Sequence, residues 1–488
     1  MKKEDLFETI GGLDEKIVQE AEQYEKKKNG SLMKFAIPAL CMALAAAAVI
    51  VFPRLNQKNT EGPAAQNSAN QPAAGGLLYT VNAVCPEAEG ENMDKMEYLS
   101  SDEHWQWMQE RRQYSEQSML MQSDMEGYYR EMMNLILADS EDNTVCSPLN
   151  IWFALAMLGE VTDGNTRQQI LDVLNIKDTQ QLQNAAEMLF MSSYADTPAL
   201  TSRLADSFWL NQSVSYKEET LNTLAQKYFA SSHVGTPGTP EMDEALQKWT
   251  DFNTGGELSE YAKNLKLDES TVLALVSAIY YKASWMDEFE QQNTTRNIFH
   301  GTKGDTETLM MNGMRSMGVL EKDSFRAVRF PLTDSGYMYF FLPSENNPDA
   351  LVNDPEVYRT LREECTDAEW TSAMVDFKIP KFRVSADTDL LEVLQKAGIT
   401  DALDPAKSDF TPLTDDSDEI YVSGGEHAAM VEIDEQGVTG AAFTMMANAN
   451  GGIFNNQVIE FHVDRPFFFA VTSVDHSILF SGIIRNLP

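Results

Sequence analysis

The stretch from Gln436 to Ile459, QGVTGAAFTMMANANGGIFNNQVI, runs for 24 residues without a charge or a proline between Glu435 and Glu460, in a chain 23% of whose residues are charged. Val438, Gly440, Ala442 and Thr444 put small or uncharged side chains on one alternating face. No Pro removes the backbone donors that a central strand needs. The stretch is suited to stand exposed in one state and to lie as a middle strand in another. An exposed, uncharged, Pro-free strand is an aggregation hazard, so its presence calls for a use. The same composition also suits a flexible Gly/Ala/Asn loop or an ordinary buried hairpin.

Working outward, residues 272–281 (VLALVSAIYY) are an almost unbroken apolar run with β-branched and aromatic members, which predicts a strand buried on both faces. Further strands are expected at 337–342, 373–379, 458–463, 467–471 and 477–483. Upstream the pattern is helical. Ser147 followed by Pro148 marks a helix start, the hydroxyl capping free N–H groups while Pro takes the first turn. Helices are predicted from there and at 166–174, 180–191, 221–230 and 241–252, with one more at 387–396 closed by Gly398. Helices first and strands later place the chain in the α+β class.

The 488 residues carry 37 Lys and Arg against 75 Asp and Glu, a formal net charge of −38. Residues 1–54 hold eight of each sign, so the whole excess falls on 55–488. A body that acidic repels phosphate backbones, and nucleic acid is not an expected partner. Cys41, Cys85, Cys146 and Cys365 lack the short pairwise spacing of zinc or redox motifs, so no disulfide framework, metal or cofactor is expected. Six histidines, none in a metal-ligand pair, offer no recognisable nucleophile and base, and an enzyme is not expected.

Residues 35–52 are 18 uncharged residues flanked by Lys34 and Arg54, long enough for one membrane-crossing helix, here bounded at 34–53. Lys26, Lys27, Lys28 and Lys34 crowd its N-terminal side, which puts a head of residues 1–33 in the cytoplasm and the rest outside. A cleaved signal peptide is the competing reading. The head resembles cytoplasmic segments that precede single spans in anaerobic Gram-positive bacterial membrane proteins. Residues 55–78, rich in Gln, Asn, Pro, Ala and Gly, read as a tether. Residues 79–112, polar and acidic with scattered aromatics, fit a loosely docked extension as well as continued linker; the linker is drawn over 54–114 and one domain over 115–488.

Ordered motifs in that domain resemble the serpin family: Asn143 to Gly159 (NTVCSPLNIWFALAMLG), Leu204 to Asn211 (LADSFWLN), Trp249 to Gly256 (WTDFNTGG), Leu275 to Phe289 (LVSAIYYKASWMDEF), Pro380-Lys381-Phe382, and Asp464 to Phe469 (DRPFFF). The resemblance implies a large mixed sheet, two smaller sheets, eight or nine helices and an exposed reactive loop that serves as protease bait. It implies a suicide-substrate inhibitor of extracellular serine proteases, in which the cut loop inserts into the large sheet and traps the acyl-enzyme. A non-inhibitory member, or a tethered sensor of proteolysis, is the alternative. A monomer in the cell membrane is expected.

On this resemblance Glu435, Gly437, Val438, Gly440, Ala442 and Thr444 form the loop hinge, with Gly437 as pivot. Ser147, Ser277 and His427 match the shutter beneath the central strands, Ser277 standing where the family has Asn. Trp285 matches the breach at the top of the sheet. The cut is expected within 446–455. Counting forward from Glu435 gives Gly451-Gly452, and counting back from Pro466 lands near Asn455, with Phe454 the second candidate. No Lys or Arg lies there, so elastase-, subtilisin- or chymotrypsin-like proteases are the expected partners.

Overall fold

The computed structural model describes residues 77–138, 140–366, 369–416, 420–438 and 458–488. The chain begins with strand β1 (Tyr79–Val81), helices α1 (Lys95–Leu99), α2 (Asp102–Met119) and α3 (Gln122–Leu137), and strand β2 (Thr144–Cys146). Helices α4 (Pro148–Val161), α5 (Gly164–Leu174) and α6 (Thr179–Ser193) lead to β3 (Ala195–Asp196), β4 (Leu200–Asn211), α7 (Glu218–Lys227) and β5 (Ser231–Gly235). Then come α8 (Pro240–Asn253), α9 (Ser259–Ala262), β6 (Leu273–Ser284), β7 (Thr294–Gly301), β8 (Gly304–Glu321), β9 (Phe325–Pro331) and β10 (Tyr337–Pro343). The remainder is α10 (Pro355–Leu361), β11 (Trp370–Pro380), β12 (Phe382–Asp389), α11 (Leu390–Lys396), β13 (Val422–Ile433), β14 (Gly437–Val438), β15 (Val458–His462), β16 (Phe467–Thr472) and β17 (Ile478–Ile484).

Helix α4 starts where the sequence predicts, with the Ser147 hydroxyl accepting from Asn150 N–H and Pro148 in the first turn. It is apolar nearly all round, so it can only lie in the core, and almost all of it is buried. The helix expected over 387–396 begins later: residues 387–389 finish β12, and the Asp389 side chain caps α11. Strand β4 was not anticipated. Its even-numbered residues Leu200, Leu204, Phe208 and Leu210 face the main core while Trp209 faces the other side.

One sheet has the order β1-β5-β4-β6-β14-β13-β12, with β3 on β4. The other has the order β15-β11-β8-β9-β10-β16-β17-β2, with β7 on β8. The two smaller sheets implied by the sequence are thus joined, because the 18-residue β8 pairs in turn with β7, β11 and the start of β9. Strand β6 is buried on both faces, as its apolar run requires. Leu273, Leu275, Ile279, Tyr281 and Ala283 face the main core. Ala274, Val276 and Ala278 pack beneath α8 with Met242, Leu246 and Trp249.

Residues 77–114 differ from the linker drawn for them. β1 pairs antiparallel with β5 at the edge of the large sheet, and α2 runs through the boundary expected at 114/115 without a break. Arg111 anchors this helix: it is buried, Nε donates to Ser192 O (2.7 Å) and Nη1 to Asp334 O (2.6 Å). These contacts join residues far apart in sequence, which local pattern cannot reveal. Among the described residues no helix is long and apolar enough to cross a membrane. The head 1–33, the run 35–52 and residues 54–76 lie outside the described residues.

Candidate functional site

Two polar constellations lie along the seam where β6 and β13 face each other. At the foot of the seam these strands pair directly and in parallel, from Val422 opposite Leu273 to Ala428 opposite Ala278. At the top the two-residue β14 lies between them, Gly437 opposite Ser284, Val438 opposite Ala283 on one side and Ile433 on the other. Between these levels, no pairing joins 279–282 to 429–432 among the described residues. The sheet is therefore parted at its upper end and closed below.

The backbone contacts at the top dictate Gly at 437. A Cβ there would sit 2.1 Å from the Ala283 carbonyl oxygen, closer than any real Cβ contact. Val438 is buried in the main core. Trp285 holds the turn that feeds β14: its backbone N–H donates to Gln436 O (3.0 Å) and its indole Nε1–H to Asp434 O (2.8 Å). Its ring packs edge-on against Phe289 and Phe330. Lys381 Nζ donates to Glu435 Oε2 (2.7 Å), and Thr294 Oγ1 to Oε1 (2.7 Å). Burial alone would raise the Glu435 carboxyl, but the bonds from Lys381 and Thr294 outweigh it and hold it below the usual range.

A carboxylate depressed in the folded state gives stability that is fully present above its unfolded value, about 4.3, and is lost as pH falls through the folded one. Glu435→Gln is therefore expected to lower the free energy of unfolding at neutral pH by about 1.5–3 kcal/mol, the range for a charged hydrogen bond. The gap between variant and wild type should close on acidification. Urea midpoints measured from neutral pH down to the carboxylate range check this, and a gap that widens in acid would contradict it.

The second constellation staples β6 to β13 at the foot of the seam. Ser147 N–H donates to His427 Nε2 (3.0 Å), so that nitrogen carries no proton and the neutral ring holds its hydrogen on Nδ1. Burial pushes the imidazole down to about 3, consistent with the neutral form. Nδ1–H then donates to Ser277 Oγ (3.2 Å), which also accepts from Asn150 Nδ2 (2.6 Å). Asn150 Nδ2 donates to the Ala278 carbonyl as well (2.9 Å). Ser277 and His427 are direct partners in the parallel ladder, and all four side chains are buried.

The structure thus gathers Ser147, Ser277 and His427 at the foot of the seam, and Glu435, Gly437, Val438 and Trp285 at its top. Gly440, Ala442, Thr444, the candidates Gly451, Gly452 and Phe454, and the whole window 446–455 lie outside the described residues. Past them the chain resumes as β15, parallel to β11 in the other sheet. Sequence reading missed Asn150, Thr294 and the role of Lys381. Asn150 had a signal, a lone amide in an apolar helix. Thr294 and Lys381 had none, since their partner is more than fifty residues away.

The described cysteines Cys85, Cys146 and Cys365 are free thiols. The family description "Serpin (serine protease inhibitor)" matches residues 129–487. Human neuroserpin is 27% identical over 380 residues, covering 73% of this chain and 89% of that protein. Serpin-ZX of Arabidopsis thaliana is 26% identical over 364 residues, covering 70% and 91%. The crystal structure of a thermophilic serpin, tengpin, in the native state superposes with a TM-score of 0.66 at 21% identity, covering 83% of this chain and 98% of that one. A parted central sheet with a buried hinge at its head, and a family match that spans most of the chain, lead to one assignment: the chain belongs to the serpin family.

Proposed function

We propose that this serpin is a suicide-substrate inhibitor of serine proteases, in which the cut loop enters the seam between β6 and β13. The register of β14 carries this reading. Val438 opposite Ala283 and Ile433 fixes how the following residues would continue, each one stepping one position down both neighbours. Thr444 would then fall between Ser277 and His427, which already face each other across the seam. The two neighbouring ladders therefore agree on a single register for a new strand.

Burial supports the same path. Even-numbered residues would share the core face of Val438, so Gly440, Ala442 and Thr444 bring no charge into the core. Thr444 has a hydroxyl to offer Ser277 and His427 as their direct bond parts. Odd-numbered residues would turn toward α8, and Phe443 would meet Ala278 and Ala428, whose small side chains leave it room. From Ala283 ten positions lead down to Leu273 at the foot of β6. A cut at Gly451 would leave the acyl bond roughly 40 Å from Val438 at about 3.3 Å per residue. A catalytic site that tolerates little displacement would be distorted by that journey.

The uncharged window selects elastase-, subtilisin- or chymotrypsin-like enzymes over trypsin-like ones. Anchorage through 35–52, with the inhibitor domain outside the cell, is the arrangement proposed for it. Incubation with an elastase-like protease is expected to give an SDS-resistant complex of inhibitor and enzyme. Clean cleavage with a fully active enzyme would instead favour a non-inhibitory member or a tethered sensor of proteolysis.

A further inference from the structure

Asp206 on β4 lies opposite Ser277 in the β4–β6 ladder, on the core face and only 5% exposed. A count of hydrogens shows why it matters. Ser277 Oγ accepts from His427 Nδ1 and from Asn150 Nδ2, which uses both of its lone pairs. Its own hydrogen is left for the Asp206 carboxyl, which stands opposite it in the ladder. The second carboxyl oxygen, Asp206 Oδ1, is buried with no partner, and so is the Asn150 carbonyl oxygen Oδ1. The Asn150 amide cannot turn to relieve this without losing the bond from Nδ2 to the Ala278 carbonyl. Two orphaned acceptors, one on Asn150 bonded to this hydroxyl and one on Asp206 opposite it, lack one hydrogen between them.

We propose that Asp206 is a positioning residue of the shutter, acting through Ser277: in the native protein it carries a proton that it shares with Asn150 Oδ1, directly or through one buried water, and losing that proton loosens the hold of β6 on β13. A naked carboxylate oxygen in an apolar core is costly, and burial pushes this carboxyl well above its ordinary value. The other titratable groups packed around it stay neutral. They are His427 of β13, whose Nε2 accepts a backbone N–H, and Tyr128 of α3, whose hydroxyl donates to Pro148 O and is pushed up by burial. Cys146 of β2, beside Tyr128, is also pushed up by burial. Burial raises this carboxyl, and the Ser277 hydroxyl opposes that rise without cancelling it.

An acid raised in the folded state contributes stability below its unfolded value, near 3.9, that is lost as pH rises through the folded one. This consequence concerns the intact protein. Only its bearing on inhibition rests on the insertion reading above. Asp206→Asn supplies both an acceptor for Ser277 and an N–H for Asn150, with no proton to lose. The variant should unfold at a higher urea concentration than wild type at pH 8, and the two midpoints should converge toward pH 5. Infrared spectra of the wild type at pH 7 should show the carbonyl stretch of a protonated carboxyl group, absent from the variant. Parallel pH profiles, or no such band in the wild type, would overturn the proposal. The band is read on the wild type even if the variant fails to fold. No protease is used, so failure of the inhibitor reading leaves this test intact.

Discussion

Once the loop has been cut, the two-chain product is expected to melt at least about 10 °C above the intact protein. The reason lies in the seam. In the intact chain β14 supplies two residues of a middle strand, and 279–282 and 429–432 are not paired with each other among the described residues. Below that level the parallel pairing of β6 with β13 stands in for the missing strand. A strand running from Val438 to the level of Leu273 would replace six parallel pairs with antiparallel pairing on both sides over ten positions. Its core-facing side chains would also pack beside Ile279, Tyr281 and Val431. For a body this large, a shift of about 10 °C means on the order of 5 kcal/mol or more. Calorimetry of intact and cut protein reads it directly, and equal melting temperatures would leave no stored energy to drive a trap.

How much of this was legible in the sequence depends on whether a signal is local. Strand β6 was readable because burial on both faces forces an unbroken apolar run, and α4 because Ser147 and Pro148 announce its start. Strand β4 was missed because its polar residues come in runs, Thr201-Ser202-Arg203 and Asp206-Ser207, which break the alternation that marks a strand, in a stretch that sits among helices. The 77–114 segment could not be told from linker because Arg111, His104 and β1 find their partners more than 75 residues away. The site shows the same division. Val438 follows from what a central strand requires and Gly437 from the family resemblance, whereas the physical need for Gly at 437 rests on the Ala283 carbonyl, which no local pattern reports. Asp206 looked ordinary in sequence. Its weight comes from two neighbours on other elements that leave one hydrogen missing.

The second large effect is expected for Val438→Arg. Val438 is 1% exposed, fixed between Ala283 and Ile433, with its side chain in the main core. A guanidinium forced into that place would be an unpaired buried charge, worth about 3–5 kcal/mol against the inserted state. The intact protein escapes most of that cost by releasing β14, a loss of two residues of pairing, so it should remain folded. The cut chain has no such escape, because every further residue must follow position 438 down the seam. Insertion and deacylation compete from the same acyl-enzyme, and 3–5 kcal/mol on the first step slows it by at least about 100-fold. The variant should therefore be cleaved as a substrate, with the SDS-resistant complex reduced to a trace and the protease left active. Val458→Arg is the matched control: that residue is 55% exposed at the far end of the loop, and the same charge there should leave trapping unchanged. Should Val438→Arg trap protease as well as the wild type, the strand does not enter the sheet by this register, and the insertion route itself would have to be abandoned.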